Sequence, residues 1–211
     1  MVRFERAGGV SGVIAVAAIA LQFILVGTTA PDLNAVVNHH WRWEWVTLLR
    51  VVGGIGIIWF TAGLAARLRR WTRQPTGPAR VVLGAGLLWG AVWLTSAAFN
   101  SAALSLPIAY GDPAAVHLLG VLGAQSVLVL TPALSIAFLV ATGAAVLAAP
   151  TFPRRFAHAA FWAAGFRFIL ALVDWHGDAD LVMRIMDFTL MWVVVTSVHL
   201  LGATRPAEAM R

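Results

Sequence analysis

The sequence predicts an all-α membrane protein, a polytopic bundle of six transmembrane helices that forms a single domain over residues 1–211. Hydrophobic residues make up 60% of the 211 residues and charged residues only 11%, about half the charged fraction of an average soluble domain. Apolar runs of roughly 20 residues, the length that crosses a bilayer, recur along the chain. The connections between these runs are too short to fold alone, so no soluble domain is expected.

Five of the six predicted spans are continuous apolar segments, expected at about 10–29, 46–66, 81–104, 156–174 and 181–202. The fourth region, 113–149, differs because its 37 residues would form a helix of about 55 Å, far longer than a bilayer core. Asp112 followed by Pro113 predicts a helix start, and Pro132 predicts an interruption. The region is therefore either one long kinked helix or an outer lid over 113–130 followed by a span.

The charges of the connections predict the orientation. The segment after the second span carries five arginines, whereas the connections expected on the other face are mainly acidic. Positively charged connections stay in the cytoplasm, so both termini are predicted to be cytoplasmic. The chain is therefore expected to be a multi-pass protein of the bacterial cytoplasmic (inner) membrane.

Two missing residue types exclude several chemistries. All 15 basic residues are arginine, which excludes lysine Schiff bases of retinal or pyridoxal and a phosphate-binding P-loop. Cysteine is absent too, which excludes disulfides, thiolate metal sites and cysteine nucleophiles. The arginines cluster beside the spans, so no nucleic-acid partner is expected.

Ten tryptophans form a further signal. Three of them lie deep in the spans and are expected to pack between helices, namely Trp59, Trp89 and Trp192. The others fall near span ends, where an interfacial aromatic belt is expected, namely Trp41, Trp43, Trp45, Trp71, Trp93, Trp162 and Trp175.

Two stretches carry a family resemblance. In "VVNHHWRWEWVTLLRVVGGIGIIWFTAGLAARLRR" (36–70) a short outer segment leads into a Gly-rich helix that ends in arginine. In "SIAFLVATGAAVLAAPTFPRRFAHAAFWAAG" (135–165) a helix closes with a Pro-Arg turn and the chain re-enters the membrane. The chain thereby resembles actinobacterial membrane proteins related to domain-of-unknown-function family 4386. That resemblance implies no activity. In size and helix count the plan is also loosely similar to membrane-bound terpene cyclases.

Charged residues inside the last two spans fall at one depth. Arg167 and Asp187 each lie about 10 Å inside the outer membrane face, on spans joined by a short loop, so they are expected to meet. Arg184 precedes Asp187 by three residues and is therefore expected one helical turn nearer the outer face. A structural Arg–Asp pair and a functional pair are both compatible with this spacing.

Further polar residues fall in the outer third of other spans. Arg50 and Asn100 lie there, and His117 joins them if 113–130 packs against the bundle. Gln22 is expected deeper, near the middle of the membrane. An intramembrane charge costs at least about 2.5 kcal/mol and normally faces the bundle interior or a wet cavity. A polar cavity that opens outward is therefore predicted.

Metal and haem sites are not favoured, and no cofactor is expected. The metal candidate is an acidic outer turn that carries Asp174, His176 and Asp178, and such close spacing arises easily by chance. For haem, His117 and His176 fall on the outer side, and His158 and His199 fall on the inner side. Stacked haems usually need ligands repeated on the same helices, and this arrangement does not provide them.

The favoured function is a membrane enzyme, of cyclase or isomerase type, that acts on a lipid-soluble, isoprenoid-like substrate by acid–base chemistry. Glu44 or Asp187 would be the acid, kept protonated by an apolar surround. A developing carbocation would be stabilised by tryptophan faces such as Trp93. The polar head group would be oriented by Arg50, Asn100, His117, Arg167 and Arg184.

Two alternatives stay open. One is a binding or transport protein whose arginine-lined cavity holds an anionic or amphipathic ligand, although no internal repeat supports transport. The other is an accessory subunit that packs in a larger membrane complex through the small-residue faces "GGIG" and "GAGLLWGA". The expected partners are the bilayer and a hydrophobic or amphipathic small molecule, with a second copy of the chain as a further candidate.

Overall fold

The protein is helical throughout the part of the chain that its computed structural model describes. Those residues are 2–26, 38–71, 77–109, 112–149, 153–174 and 179–202. No strand occurs within these ranges. The all-α prediction is therefore confirmed for the described residues.

Seven α-helices and one π-helical segment occur in the described residues. The α-helices are α1 (Val2–Val26), α2 (His40–Trp71), α3 (Gly77–Ala109), α4 (Pro113–Gln125), α5 (Thr131–Leu147), α6 (Arg154–Asp174) and α7 (Ala179–Gly202). By length and composition, α1, α2 and α3 are long and apolar enough to cross a membrane. The apolar stretches of α4, α5 and α7 are shorter. The helical bundle is thus observed, and the six crossings stay a prediction.

The fourth predicted region is one continuous helical run with a wide turn inside it. Asp112 caps α4, since its Oδ1 accepts hydrogen bonds from the backbone N–H of Ala114 at 2.9 Å and Ala115 at 3.4 Å. The π-helical segment Ser126–Leu130 joins α4 to α5. Pro132 lies in the first turn of α5, where it lacks an N–H and crowds the preceding turn. The wide turn directly before Pro132 accommodates that crowding.

Six of the helices close into a ring. Going around it, α1 packs on α2, α2 on α3, α3 on α5, α5 on α6, α6 on α7, and α7 on α1 again. The additional helix α4 packs against α3. Neighbouring helices are antiparallel: Gly8 of α1 approaches Gly63 of α2, while Ile19 approaches Gly53.

The first and last described helices meet at one end of the ring. Glu5 of α1 lies beside Arg67 and Arg70 of α2. Arg67 also donates a hydrogen bond from Nη1 to the backbone oxygen of Leu200 in α7 at 3.2 Å. We call this the arginine-rich end and define it by Arg67, Arg70, Arg154 and Arg155. The opposite end, where α2 begins and α3 ends, is called the far end.

The small-residue faces pack inside the chain. A Cβ atom on Gly56 of α2 would lie 2.8 Å from the Cβ of Ala15 in α1. A Cβ atom on Gly54 would lie 2.9 Å from the backbone oxygen of Gly90 in α3. The glycines of "GGIG" and Gly90 of "GAGLLWGA" therefore bring α1, α2 and α3 together. The accessory subunit stays an alternative that this packing does not test, because Gly84 of the same stretch is exposed.

Aromatic side chains fill the middle of the ring. The ring centroid of Phe138 in α5 lies 5.8 Å from Trp89 in α3, 6.0 Å from Trp192 in α7 and 6.3 Å from Phe60 in α2. All four side chains are buried. Trp89 and Trp192 thus pack between helices as predicted. We call these four residues the aromatic layer.

Other tryptophans depart from their predicted positions. Trp43 and Trp93 were expected in the interfacial belt, but both are buried. Trp59 was expected to pack between helices, and its ring centroid does lie 5.7 Å from that of Phe4 in α1. It is nevertheless 46% exposed, on the same side of α2 as the exposed Trp41 and Trp45. The reason is helical periodicity: the face on which a residue lies decides its burial, whatever its depth. Trp162 is exposed as the belt requires, and the side chains of Trp71 and Trp175 lie outside the described residues.

Candidate functional site

Arg50 reaches from α2 into the contact between α3 and α4 at the far end. Its side chain is buried, with 6% exposure, and its Nη1 donates a hydrogen bond to Ser96 Oγ at 2.7 Å. The Ser96 hydroxyl donates in turn to the backbone oxygen of Gly123 in α4 at 2.6 Å. A guanidinium of α2, a hydroxyl of α3 and a carbonyl of α4 thereby form one chain of hydrogen bonds.

Gly123 permits this close approach of α4. A Cβ atom at this position would lie 3.3 Å from the backbone oxygen of Ser96 and 3.7 Å from Arg50 Nη1. The Gly123 oxygen also accepts a hydrogen bond from Ser126 Oγ at 2.9 Å, and Ser126 is the first residue of the π-helical segment. Single π turns inside α-helices occur frequently at functional sites.

Asn100 lies one turn beyond Ser96 on the same face of α3 and is only 1% exposed. Neither its Oδ1 nor its Nδ2 has a hydrogen-bond partner within the described residues. The same holds for Nε of Arg50. A buried polar group without a partner costs about 1–3 kcal/mol, so such groups normally bind water or a ligand. Asn100 and Arg50 are therefore the strongest indication of a binding site.

Gln22 lies level with Arg50, which the sequence did not predict. Ile19 contacts Gly53 across the antiparallel α1–α2 pair. Gln22 follows Ile19 by three residues and Arg50 precedes Gly53 by three, so the two are at the same height. Gln22 is buried, and its Oε1 has no partner among the described residues. The sequence placed Gln22 nearer the middle of the membrane than Arg50, whereas the contacts between α1 and α2 put the two residues at one height.

Thr131 is a second residue that sequence reasoning missed. It precedes Phe138 by two turns on α5, and Ser96 follows Trp89 by two turns on α3. Since Phe138 and Trp89 are in contact, Thr131 and Ser96 are level. Thr131 is buried, and its Oγ1 has no partner within the described part of the chain. We call the resulting set the polar layer and define it as Gln22, Arg50, Ser96, Asn100 and Thr131.

Arg167 of α6 is buried and donates a hydrogen bond from Nη1 to Thr189 Oγ1 of α7 at 3.4 Å. Asp187 precedes Thr189 by two residues, or about 3 Å along α7, so its backbone lies near the residue that Arg167 contacts. The side chains of 179–188 lie outside the described residues. The Arg167–Asp187 contact and the role of Arg184 therefore stay predictions. Arg50 and Arg167 come from helices that are not neighbours in the ring.

Glu44 does not have the surroundings expected of the catalytic acid. Its side chain is 61% exposed, and its Oε1 lies 3.2 Å from Nδ1 of His40, one turn earlier on α2. The chain itself therefore does not enclose Glu44 in apolar groups. The reason is again helical periodicity, because Glu44 lies on the exposed side of α2 and Trp43 on the buried side.

His117 does not join the polar layer. The sequence placed His117 in the site only if 113–130 packs against the bundle. That packing is observed for α4, which contacts α3. The buried residues of α4 are, however, Val116, Gly120 and Gly123, and His117 lies on the exposed face. Trp93 does border the layer, since it is buried one turn before Ser96 on α3 and its Nε1 has no partner among the described residues.

The metal candidate cannot be placed, since the side chains of Asp174, His176 and Asp178 lie outside the described residues. Within the described residues, no three His, Asp or Glu side chains are grouped as metal ligands. Of the histidines considered for haem, His117 and His158 are exposed. The imidazole of His199 lies 4.6 Å from the Phe156 ring at the arginine-rich end.

Sequence reasoning also missed an ion cluster at the arginine-rich end. The buried carboxylate of Glu5 places Oε1 2.6 Å from Arg70 Nη2 and Oε2 3.8 Å from Arg67 Nη1. The available signal was the lone acidic residue at the start of the first helix. Its partners lie more than sixty residues later in the chain, so the pairing could not be recognised without the fold.

No protein-family model, curated protein or solved structure matches this chain. The resemblance to the actinobacterial membrane proteins and the similarity of plan to terpene cyclases therefore stay expectations.

Proposed function

We propose that this chain is a multi-pass membrane protein that binds an anionic, amphipathic molecule in the polar layer at its far end. The observation that carries the proposal is the buried guanidinium of Arg50, which has a hydroxyl partner and no carboxylate partner among the described residues. A guanidinium stays charged in proteins, and a buried charge needs a counter-charge. An anionic head group supplies one.

The proposed orientation places the arginine-rich end in the cytoplasm and the polar layer in the outer half of a bacterial cytoplasmic membrane. Glu5 and Leu200 lie at the same end of the ring, which supports an even number of crossings. In this cysteine-free chain, Gln74→Cys and Gly177→Cys should react with an impermeant thiol reagent from opposite sides. Reaction of both from the same side would refute the orientation.

Binding is preferred to the enzyme that the sequence favoured because the polar layer contains no carboxyl group among the described side chains. Glu44 is exposed, and Glu5 lies in an ion cluster at the opposite end. A general acid must reach the reacting atom, so the role would fall to Asp187. The contact between Arg167 and Thr189 supports the enzyme as a second candidate, because it brings the backbone of Asp187 to the depth of Arg167.

Retention of the ligand tests the binding proposal. The protein is purified in detergent, and the co-purified amphipathic molecules are identified by mass spectrometry. Arg50→Leu should retain at least about tenfold less of one anionic amphipath. The matched control is Arg42→Leu, which removes an exposed arginine from the same helix and should retain the wild-type amount.

Folding of each variant is checked separately. If Arg50→Leu fails to fold, ligand retention is measured on Arg50→Lys, which keeps the charge. If a folded Arg50→Leu protein retains the same anionic amphipath in full, the proposal is wrong. The second candidate has its own test: Asp187→Asn should bind normally, and a lipid-soluble product present in cells with the wild-type protein should disappear. Unchanged lipid extracts would exclude the enzyme.

A further inference from the structure

We infer that the ligand of the polar layer carries hydroxyl groups beside its negative charge, as a phosphodiester lipid with a glycerol head group does. The inference rests on the proposed function and concerns the same site. It comes from the kinds of polar atoms in the layer, which include acceptors that a bare anion cannot satisfy.

Within the polar layer and at its border, the buried atoms without partners among the described residues are mainly of two kinds. The donors are Arg50 Nε, Asn100 Nδ2 and, at the border of the layer, Trp93 Nε1, while the hydroxyl of Thr131 can donate or accept. The acceptors are the amide oxygens Gln22 Oε1 and Asn100 Oδ1. An anionic oxygen only accepts hydrogen bonds, so it satisfies the donors and leaves both amide oxygens unpaired. A hydroxyl group can donate to them.

The acceptors flank the positive charge. α2 lies between α1 and α3 in the ring, and Arg50 on α2 is level with Gln22 on α1. Asn100 on α3 lies one turn beyond Ser96, the hydrogen-bond partner of Arg50. An anion held at Arg50 therefore has an amide oxygen on the helix to either side, where hydroxyls attached to the same head group can reach.

Some hydroxyl groups of the bundle are satisfied by their own helix. Four of them donate to the backbone oxygen four positions earlier, namely those of Ser11, Thr47, Ser105 and Thr142. Such local bonds make a polar side chain compatible with an apolar surround. Three buried hydroxyls nearer the arginine-rich end have no partner among the described residues, as is true of the amide oxygens of Gln22 and Asn100; they are those of Thr61, Thr196 and Ser197. A hydroxyl can donate or accept, whereas an amide oxygen can only accept, so the amide oxygens are the atoms that require a donor from a ligand.

The experiment compares two lipids of equal charge by native mass spectrometry of the full-length protein. Phosphatidylglycerol and phosphatidylethanol are both singly charged phosphodiesters, and only the first has hydroxyls on its head group. Phosphatidylcholine gives the zwitterionic baseline. We expect the wild-type protein to bind phosphatidylglycerol about tenfold more tightly than phosphatidylethanol, because the two buried acceptors that phosphatidylethanol leaves unpaired each weaken binding by about threefold.

Variants separate the hydroxyl preference from the charge preference. Gln22→Leu and Asn100→Leu should each reduce the preference for phosphatidylglycerol over phosphatidylethanol by about threefold or more. Both should still bind phosphatidylethanol more tightly than phosphatidylcholine, because Arg50 is intact. Gln125→Leu, which removes an exposed glutamine at the end of α4, is the matched control and should keep both preferences.

The outcomes distinguish this inference from the proposed function. Equal binding of phosphatidylglycerol and phosphatidylethanol, both better than phosphatidylcholine, refutes the hydroxyl inference and leaves anion binding intact. Equal binding of all three lipids refutes the proposed function itself. Competition by soluble glycerol 1-phosphate would support a soluble hydroxyl-bearing anion, whereas a preference for phosphatidylglycerol without such competition supports the lipid.

Discussion

Arg50 and Arg67 are both buried on α2, about 25 Å apart along the helix, and their surroundings differ in kind. Arg67 at the arginine-rich end has the carboxylate of Glu5 at 3.8 Å and the backbone oxygen of Leu200 at 3.2 Å. Arg50 at the far end has the Ser96 hydroxyl at 2.7 Å and no carboxylate among the described residues. Arg67 thus has a carboxylate inside the chain, which it shares with Arg70, whereas Arg50 is oriented by a neutral hydroxyl.

This difference is the basis of the proposal that Arg67 is structural and that Arg50 binds the ligand. Arg67 and Arg50 are both buried, at 3% and 6% exposure, so burial alone does not distinguish them. Loss of one partner from a buried ion pair is strongly destabilising. A buried arginine without a carboxylate partner lowers the stability of the empty protein, so its removal should cost little. Substitutions at the two ends of α2 should therefore differ in their effect on stability.

The largest expected effect is at Glu5. Glu5→Leu leaves the buried Arg67 without its carboxylate, and removal of one partner from a buried pair costs about 3–5 kcal/mol. We expect a loss of stability of that order in a reversible denaturant titration in detergent. Glu44→Gln serves as the control because its side chain is exposed, and its midpoint should stay unchanged. A Glu5→Leu midpoint equal to that of the control would show that the ion cluster is not structural.

Arg50→Leu should affect stability much less than Glu5→Leu. In delipidated protein it replaces an unbalanced buried charge by an apolar group, so we expect a change within about 1 kcal/mol, of either sign. Arg67→Leu is the comparison, since it removes a buried arginine of the same helix that has a carboxylate partner and should cost about 3 kcal/mol. Denaturant titrations of both proteins measure the difference. Equal losses would mean that Arg50 is as structural as Arg67.

The smallest expected effect is at the α3–α4 contact. Gly123→Ala places a methyl group 3.3 Å from the Ser96 backbone oxygen, so α4 must move slightly away from α3. We expect ligand retention to fall about threefold, because a small displacement weakens the hydrogen bond that orients Ser96. Gly84→Ala is the control, since nothing lies within 4 Å of its added Cβ. Equal ligand retention by the two variants would show that the contact between α3 and α4 does not contribute to ligand binding.

The sequence was sufficient to predict the helices and part of the polar layer. Hydropathy and charge alone placed Arg50 and Asn100 at one level, because an intramembrane polar residue is unusual wherever it occurs. The facing of His117, Trp59 and Trp93 could not be predicted, since it depends on which side of each helix meets a neighbour. The height of Gln22 depends on the register of α1, which is set in the fold by the contacts of Glu5 and Ile19 with α2.

The π-helical segment has a consequence for the length of the chain. A π turn corresponds to about one residue more than the α-helix needs over the same rise. Each residue of an α-helix turns the chain by about 100°. Deletion of one residue from Ser126–Leu130, such as Val129, would instead allow a regular helix without turning α4 against α5, because the wide turn already contains the surplus residue. Gly123 would stay beside Ser96. The π-helical segment is therefore the place where this helical run can change in length while α4 keeps the face that meets Arg50.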